Sequence, residues 1–453
     1  MSYKYFPHTS DDIRQMLDVI GVGSLDELYA EIPEELKLKK DLDMPDAQSE
    51  IEVRRTISEL SRKNIPLICF AGAGTYDHYT PSIIPYITSR SEFSTSYTPY
   101  QAEISQGTLQ YIFEYQTMMA DLTGMDISNA SMYDGSTATA EAMLMCVAAA
   151  KKRNKVLISG TFNPDVLRVV KTYASFHGVE LITIPPLDGV TDMDAIKVHL
   201  GQDDVAGVIV PQPNYYGLIE DFTGLAEACH AHKALLAVNT VASALGVLKS
   251  PGEWGADIAC GDAQSLGIPM NYGGPYIGYL CTTEALVRKM PGRLVGATTD
   301  TDGKRCFVLT MQAREQHIRR EKATSNICTA QGFMCLYVAC YLSLMGEKGL
   351  REVNEHSYAG AHYLHDRLLE IGCFEEAYTK PFLNEFTLRY TGVRPTLDEL
   401  RDILGNMGYL AGIKAENSDD LIIFAVTEQR TQEETDGLVS ILRNIHEANK
   451  KEV

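Results

Sequence analysis

Apolar positions change period along the chain. In residues 10 to 62 they keep helical spacing: Ile13, Met16, Leu17 and Ile20 lie at i, i+3, i+4 and i+7, and Gly21 and Gly23 stop that helix. Ser24 and Glu27 make a capping-box pattern ahead of Leu25, Leu28, Tyr29 and Ile32. Helices this short cannot bury their faces alone, so the arm is expected to wrap another subunit or the main domain. From Ile65 to about Thr310 compact apolar runs alternate with helical stretches. IPLICF (65–70), KVLIS (155–159), VELITI (179–184), VAGVIV (205–210), ALLAV (234–238), ADIAC (256–260) and YIGYLC (276–281) read as strands buried on both faces. Asn163 and Pro164 place a cap and a first-turn proline before VLRVVKTYA. Repeated βα units of this size predict a mainly parallel, seven-stranded α/β sheet with helices on both faces.

After Thr310 a polar segment leads into GFMCLYVACYLSLMG, a buried linking helix. The tail alternates helix 357–371, strand NEFTLRY, helix 396–406, strand DLIIFAV and helix 432–448. The expected plan is a helical arm (1–62), a large domain (63–310), a linking segment (311–350) and a small C-terminal α/β domain (351–453).

Charge narrows the function classes. The 453 residues carry 40 Lys plus Arg against 60 Asp plus Glu, a formal charge of −20. Neither nucleic acid nor an anionic membrane is therefore expected as a general partner. The start shows no apolar run behind a basic segment, and a cytoplasmic protein is expected. The ten cysteines form no C-x-x-C pair, and the close pairs His230 with His232 and His362 with His365 have no Cys at ligand spacing, so no metal is expected.

Two segments carry candidate chemistry. In MYDGSTATAEA, Gly135, Ser136 and Thr137 sit where a loop turns into a helix; they suit a phosphate cradle, and equally a capped core helix. In FAGAGTYD, Gly72 and Gly74 resemble the start of a dinucleotide fingerprint. The third glycine position is Asp77, and Pro81 and Pro85 break any following helix, which argues against a nicotinamide dehydrogenase.

Four longer segments, FAGAGTYDHYTP (70–81), SYTPYQAEISQGTLQYIFEYQTMMADLTG (96–124), YDGSTATAEA (133–142) and QHIRREKATSNICTAQ (316–331), resemble the glycine-cleavage P proteins. The likeness runs from the arm to the tail and is narrowest to subunit 1, the N-terminal half of enzymes that elsewhere are one long chain. It implies the aspartate-aminotransferase-like fold (fold type I) of pyridoxal-phosphate enzymes. It also implies decarboxylation of glycine and transfer of the aminomethyl group to the lipoyl group of H protein.

Against that pattern the chain departs at two points. The resemblance places a Schiff-base lysine shortly after ADIAC, and the matching residue is Gln264, whose amide cannot attack an aldehyde as a free amine does. It places an acid beside the pyridine nitrogen at the end of a neighbouring strand, and the matching residue is Asn239. Lys249, in a Ser-Pro-Gly loop, and Lys322, in a charged run, are poor substitutes. Gly135, Ser136, Thr137, Asn239 and Gln264 are thus expected to form a degenerate site. The cofactor is expected on a homologous subunit 2 within a heterotetramer, with no catalytic residue on this chain alone. Its contribution at the interface is expected from Tyr97, Thr98, Tyr100 and Gln101, which suit a small carboxylate. Thr324, Ser325 and Asn326, behind Arg319, Arg320 and Lys322, suit a phosphate. The alternatives are a purely structural or regulatory pseudoenzyme subunit, and a stand-alone cofactor enzyme using an unusual lysine.

Overall fold

Thr9 sets the first helix: its hydroxyl accepts from the Asp12 N–H, and the Asp12 carboxylate accepts from the Thr9 N–H at 2.7 Å. Helix α1 (Ser10–Ile20) then runs to Gly21, whose left-handed φ of 86° closes it. Ser49 and Glu52 cap α2 (Glu50–Ser61) in the same way. The Ser24 pattern opens no α-helix. Glu27 instead accepts from the Gly23 N–H and the Ser24 hydroxyl, and only a 3-10 turn, Asp26–Tyr29, follows. Neither α1 nor α2 buries a residue, and Val19 is 89% exposed.

The structure is a computed structural model that describes all residues except 1–4, 6, 41, 272, 313–315, 417 and 451–453. It divides into two units, residues 1–65 and residues 66–453. The second contains α3 (Gln106–Thr123), α4 (Gly135–Ala149) and α5 (Pro164–His177). Its seven-stranded sheet is built from β1 (Ile127–Ser128), β2 (Lys155–Ser159), β3 (Glu180–Ile184), β4 (Val205–Gln212), β5 (Leu235–Val241), β6 (Ile258–Asp262) and β7 (Gly278–Thr282). Their spatial order is β1-β7-β6-β5-β4-β2-β3. The run from β6 to β3 is parallel, and β7 lies antiparallel to both β6 and β1. Alternate residues feed two cores: Val156, Ile158, Ile209 and Ala237 join α4 and α5 in one, while Leu157, Val208, Val210, Leu236 and Val238 join the other. Burial on both faces explains why the inner strands read as unbroken apolar runs, whereas β3, at the sheet edge, is buried only at Ile184.

One expected strand lies elsewhere. Within IPLICF only Ile68–Cys69 is strand; it pairs in parallel with Tyr409–Leu410, and Phe70 is buried in the core of the smaller sheet. The seventh place in the large sheet is taken by the two-residue β1, too short to show a period. The smaller sheet is antiparallel, in the order Phe374–Glu376, Glu385–Tyr390, Leu421–Ala425, Ile413–Lys414. The linking helix ends at Gly346, as its apolar run suggests: there φ is 58° and ψ −171°, and the stretch Gly332–Leu369 is two helices meeting at that kink, the second starting earlier than the expected residue 357. No helix among the described residues is long and apolar enough to cross a membrane.

Candidate functional site

Parallel strands β5 and β6 end at a cavity of about 250 Å³, where open α/β sheets usually hold ligands. Its walls include Tyr76, Asp134, Gly135, Ser136, Asn239, Asp262 and Glu385. The start of α4 comes so close to β6 that a Cβ on Gly135 would lie 2.9 Å from the Asp262 backbone. Two of the N–H groups there are already used. Gly135 donates to Asp262 Oδ2 at 3.0 Å, and Thr137 donates to the Asp134 carboxylate at 2.8 Å. The chain's own carboxylates thus stand where an anionic ligand would meet the helix end.

Gln264, 1% exposed, follows β6 and works as a clamp. Its Oε1 accepts from the Tyr76 N–H at 3.0 Å, and its Nε2 donates to the carbonyls of Tyr76 (3.0 Å) and Ile268 (2.8 Å). The FAGAGTYD loop is therefore folded against the cavity rather than leading into a dinucleotide-binding helix. Glu385, from the smaller sheet, accepts from the Ala73 N–H and from the Tyr76 hydroxyl. Asn239 donates to the Thr139 hydroxyl at 2.8 Å.

Four carboxyl groups, Asp134, Asp165, Asp262 and Glu385, line this cavity, and no Lys or Arg is among its described lining residues. Burial pushes the Asp262 carboxyl up to about 7 and the Glu385 carboxyl up to about 7. Pyridoxal phosphate does not fit such a site. Its phosphate would meet carboxyl groups with no cation, its aldehyde would find no amine, and its ring nitrogen would meet an amide. Nor is Lys249 a substitute, since it is not among the lining residues and its ammonium sits over the Trp254 ring at 3.9 Å.

These buried acids make stability pH-dependent. Carboxyls ionise near 4 in an unfolded chain, whereas Glu385 does so near 7 in the folded one. Between those values the folded state holds more protons, so this group's contribution to stability falls as pH rises through the window and is level above it. Glu385→Gln keeps an acceptor and a donor in place without an ionisation. The variant should gain on the wild type by up to about 1.4 kcal/mol per pH unit between roughly pH 5 and 7. Thermal midpoints of both chains across that range test this, and a constant difference would contradict it.

A second region has the opposite charge. Arg288, Lys289, Arg293 and Arg319 line a narrow cleft with Thr324 and Ser325, and no carboxylate is among its described lining residues. Arg293, 8% exposed, donates through Nη2 to the Tyr100 hydroxyl (3.0 Å) and the Cys328 carbonyl (2.9 Å). Its guanidinium also lies 5.1 Å from the Tyr100 ring, while its Nε has no partner. The same arginine lines a neighbouring cavity of about 250 Å³ that includes Tyr97 and Thr98. Tyr97 and Tyr100 are 80% and 58% exposed with ring centroids 6.3 Å apart, and Gln101 is exposed beside them.

Tyr97, Thr98, Tyr100, Thr324 and Ser325, distant in sequence, are thus joined through Arg293. Asn326 faces a third cavity instead, next to Thr137. Sequence reading missed Arg293, Glu385 and Glu141. Each is a single charge in an otherwise apolar stretch, MPGRLVG, FLNEFTL and ATAEAMLMC, and that isolation was the available signal.

Known proteins place this geometry. The family model for the glycine cleavage system P-protein matches residues 3–442. A probable glycine dehydrogenase (decarboxylating) subunit 1 of Carboxydothermus hydrogenoformans is 47% identical, over 97% of this chain and 99% of that relative. The crystal structure of an inhibitor-bound glycine decarboxylase (P-protein) of the glycine cleavage system is 41% identical. It superposes with a TM-score of 0.88, covering 98% of this chain and 100% of the other. Lactobacillus brevis glutamate decarboxylase, 15% identical with a TM-score of 0.67 over 91% of this chain and 96% of its own, shares the fold. The fold is that of the fold-type-I pyridoxal-phosphate enzymes, and the chain belongs to the glycine cleavage system P-protein family.

Proposed function

We propose that this chain is the non-cofactor-bearing subunit of a two-subunit glycine dehydrogenase (decarboxylating). With subunit 2, in an α2β2 assembly in the cytoplasm, it decarboxylates glycine and transfers the aminomethyl group to the lipoyl arm of H protein. Pyridoxal phosphate, the electron sink for loss of CO2, resides on the partner. This chain binds no cofactor at Gln264 and Asn239, has no catalytic residue of its own when alone, and closes the partner's site.

The observation that carries this reading is Arg293, a nearly buried cation with no carboxylate partner among the described residues. An uncompensated buried charge is costly. The guanidinium borders two clefts, one lined by further cations and hydroxyls and the other by Tyr97, Thr98 and apolar side chains. An anion brought by the partner's site, either the glycine carboxylate or the cofactor phosphate, supplies the missing charge. Tyr97 and Thr98 line one cleft, with Tyr100 bound to Arg293 and Gln101 next to it in sequence; Thr324 and Ser325 line the other, with Asn326 beside them. The unburied apolar faces of α1 and α2 fit an arm that wraps a second chain.

Glycine–bicarbonate exchange measured with the chain alone, with subunit 2, and with subunit 2 plus H protein tests the division of labour. Exchange should appear only when both subunits are present. With added pyridoxal phosphate the isolated chain should show no Schiff-base absorbance and no peptide labelled by borohydride reduction. A labelled lysine on this chain would overturn the reading.

A further inference from the structure

Helix α4 buries nearly every side chain it carries from Ala138 to Cys146, and one of them is a carboxylate. Glu141 is 3% exposed. Its Oε1 accepts from the Ser325 hydroxyl at 2.6 Å, while its Oε2 has no partner. Buried carboxylate oxygens normally find a donor, and leaving one unmatched costs free energy. The same side chain forms part of the wall of a cavity of about 230 Å³, space for several water-sized groups.

The rest of that wall restricts what can enter. Tyr133, Tyr173 and Phe176 give it aromatic faces, Met132 and Ile327 add apolar surface, and Asn326 offers an amide. Besides Glu141, the only ionisable groups among its described lining residues are the two phenols and His177. A carboxylate in an apolar surround disfavours anions, and aromatic faces attract cations through their ring quadrupoles. The empty acceptor Oε2 calls for a donating N–H rather than a fully alkylated nitrogen.

We propose that this cavity binds a primary ammonium group carried on a short apolar chain, with Glu141 as its acceptor and Tyr133, Tyr173 and Phe176 as its aromatic wall. The site is separate from the degenerate cavity at Gln264, and the proposal does not depend on the role given to Arg293. Burial pushes the empty Glu141 carboxyl up to about 7; an ammonium beside it favours the ionised form and forms a charge-assisted hydrogen bond. Because Glu141 also holds Ser325, an occupied cavity would fix the segment Thr324–Asn326 that borders the cationic cleft.

n-Butylammonium and n-butanol, equal in apolar length and different in charge, are the probes. Binding to the purified full-length chain is measured by isothermal titration calorimetry. Saturable binding of n-butylammonium at least about tenfold tighter than n-butanol is expected, weakened at least about tenfold by Glu141→Gln. The amide keeps an acceptor for Ser325, so this variant is expected to fold. Should it not, Phe176→Ala, at a side chain 86% exposed, replaces it and should weaken n-butylammonium binding about threefold or more. No saturable binding, equal binding of the two probes, or an affinity unchanged by the folded variant would each overturn the proposal.

Discussion

Arg293→Met in the assembled two-subunit enzyme is expected to lower glycine–bicarbonate exchange about 10²- to 10³-fold, the cost usual for removing one preorganised donor to a reacting anion. The reason is electrostatic. The guanidinium is held by Tyr100 and the Cys328 carbonyl, with its Nε unused and no carboxylate beside it among the described residues. A donor fixed in advance in a site of low dielectric strengthens binding without reorganising at the moment of reaction. Arg293→Lys keeps the charge and loses the planar fork, so it should recover only part of the rate. The split of kinetic constants identifies the anion. A guanidinium on the substrate carboxylate raises the KM for glycine, whereas one on the phosphate weakens retention of the cofactor by the complex. Exchange within about threefold of wild type, with normal assembly by size-exclusion chromatography, would leave this chain a scaffold.

The largest stability effect is expected at Gln264. Gln264→Leu removes three hydrogen bonds at once and strands the Tyr76 N–H and the Ile268 carbonyl, while the Tyr76 carbonyl keeps the His78 N–H as a donor. At about 1–2 kcal/mol for each buried orphan the loss is about 2–4 kcal/mol, a large share of the stability of a marginally stable chain. Denaturant titration of the purified chain measures it. A loss under about 1 kcal/mol would mean that the clamp on the Gly72–Tyr76 loop is not structural. Gln264→Lys should be destabilised similarly and should gain no Schiff-base absorbance with pyridoxal phosphate. A restored amine does not supply an acid at Asn239 or a cation for the phosphate.

The two sites differ in charge. Around Gln264 the chain's own carboxylates occupy the helix end where a phosphate would sit. Around Arg293 cations and hydroxyls gather without counter-charges among the described lining residues. A phosphate or carboxylate is repelled from the first and drawn to the second, in keeping with the proposed function.

Much of this was legible in the residues. A strand covered on both faces must be apolar at successive positions, so the inner strands of the large sheet stood out as runs; VELITI stood out too, although as an edge strand it is buried only at Ile184. The cap at Asn163 and the proline at the first turn of α5 marked a helix start, and the Asn163 side chain accepts from the Asp165 N–H there. The absence of a lysine at position 264 is a fact of covalent chemistry that no fold can alter.

What escaped was choice of partner. IPLICF has the composition of a core strand, and nothing local says that Ile68–Cys69 pairs with Tyr409–Leu410 rather than with the large sheet. Glu385 meets Ala73 across 312 residues, and Arg293 meets Tyr100 across 193. A lone charge in an apolar stretch shows only that some group must satisfy it. Period and side-chain chemistry are local and are fixed by the sequence alone. Which distant groups face one another, and which are left without a partner for a ligand or a second chain to meet, was settled only when tertiary packing brought those segments together.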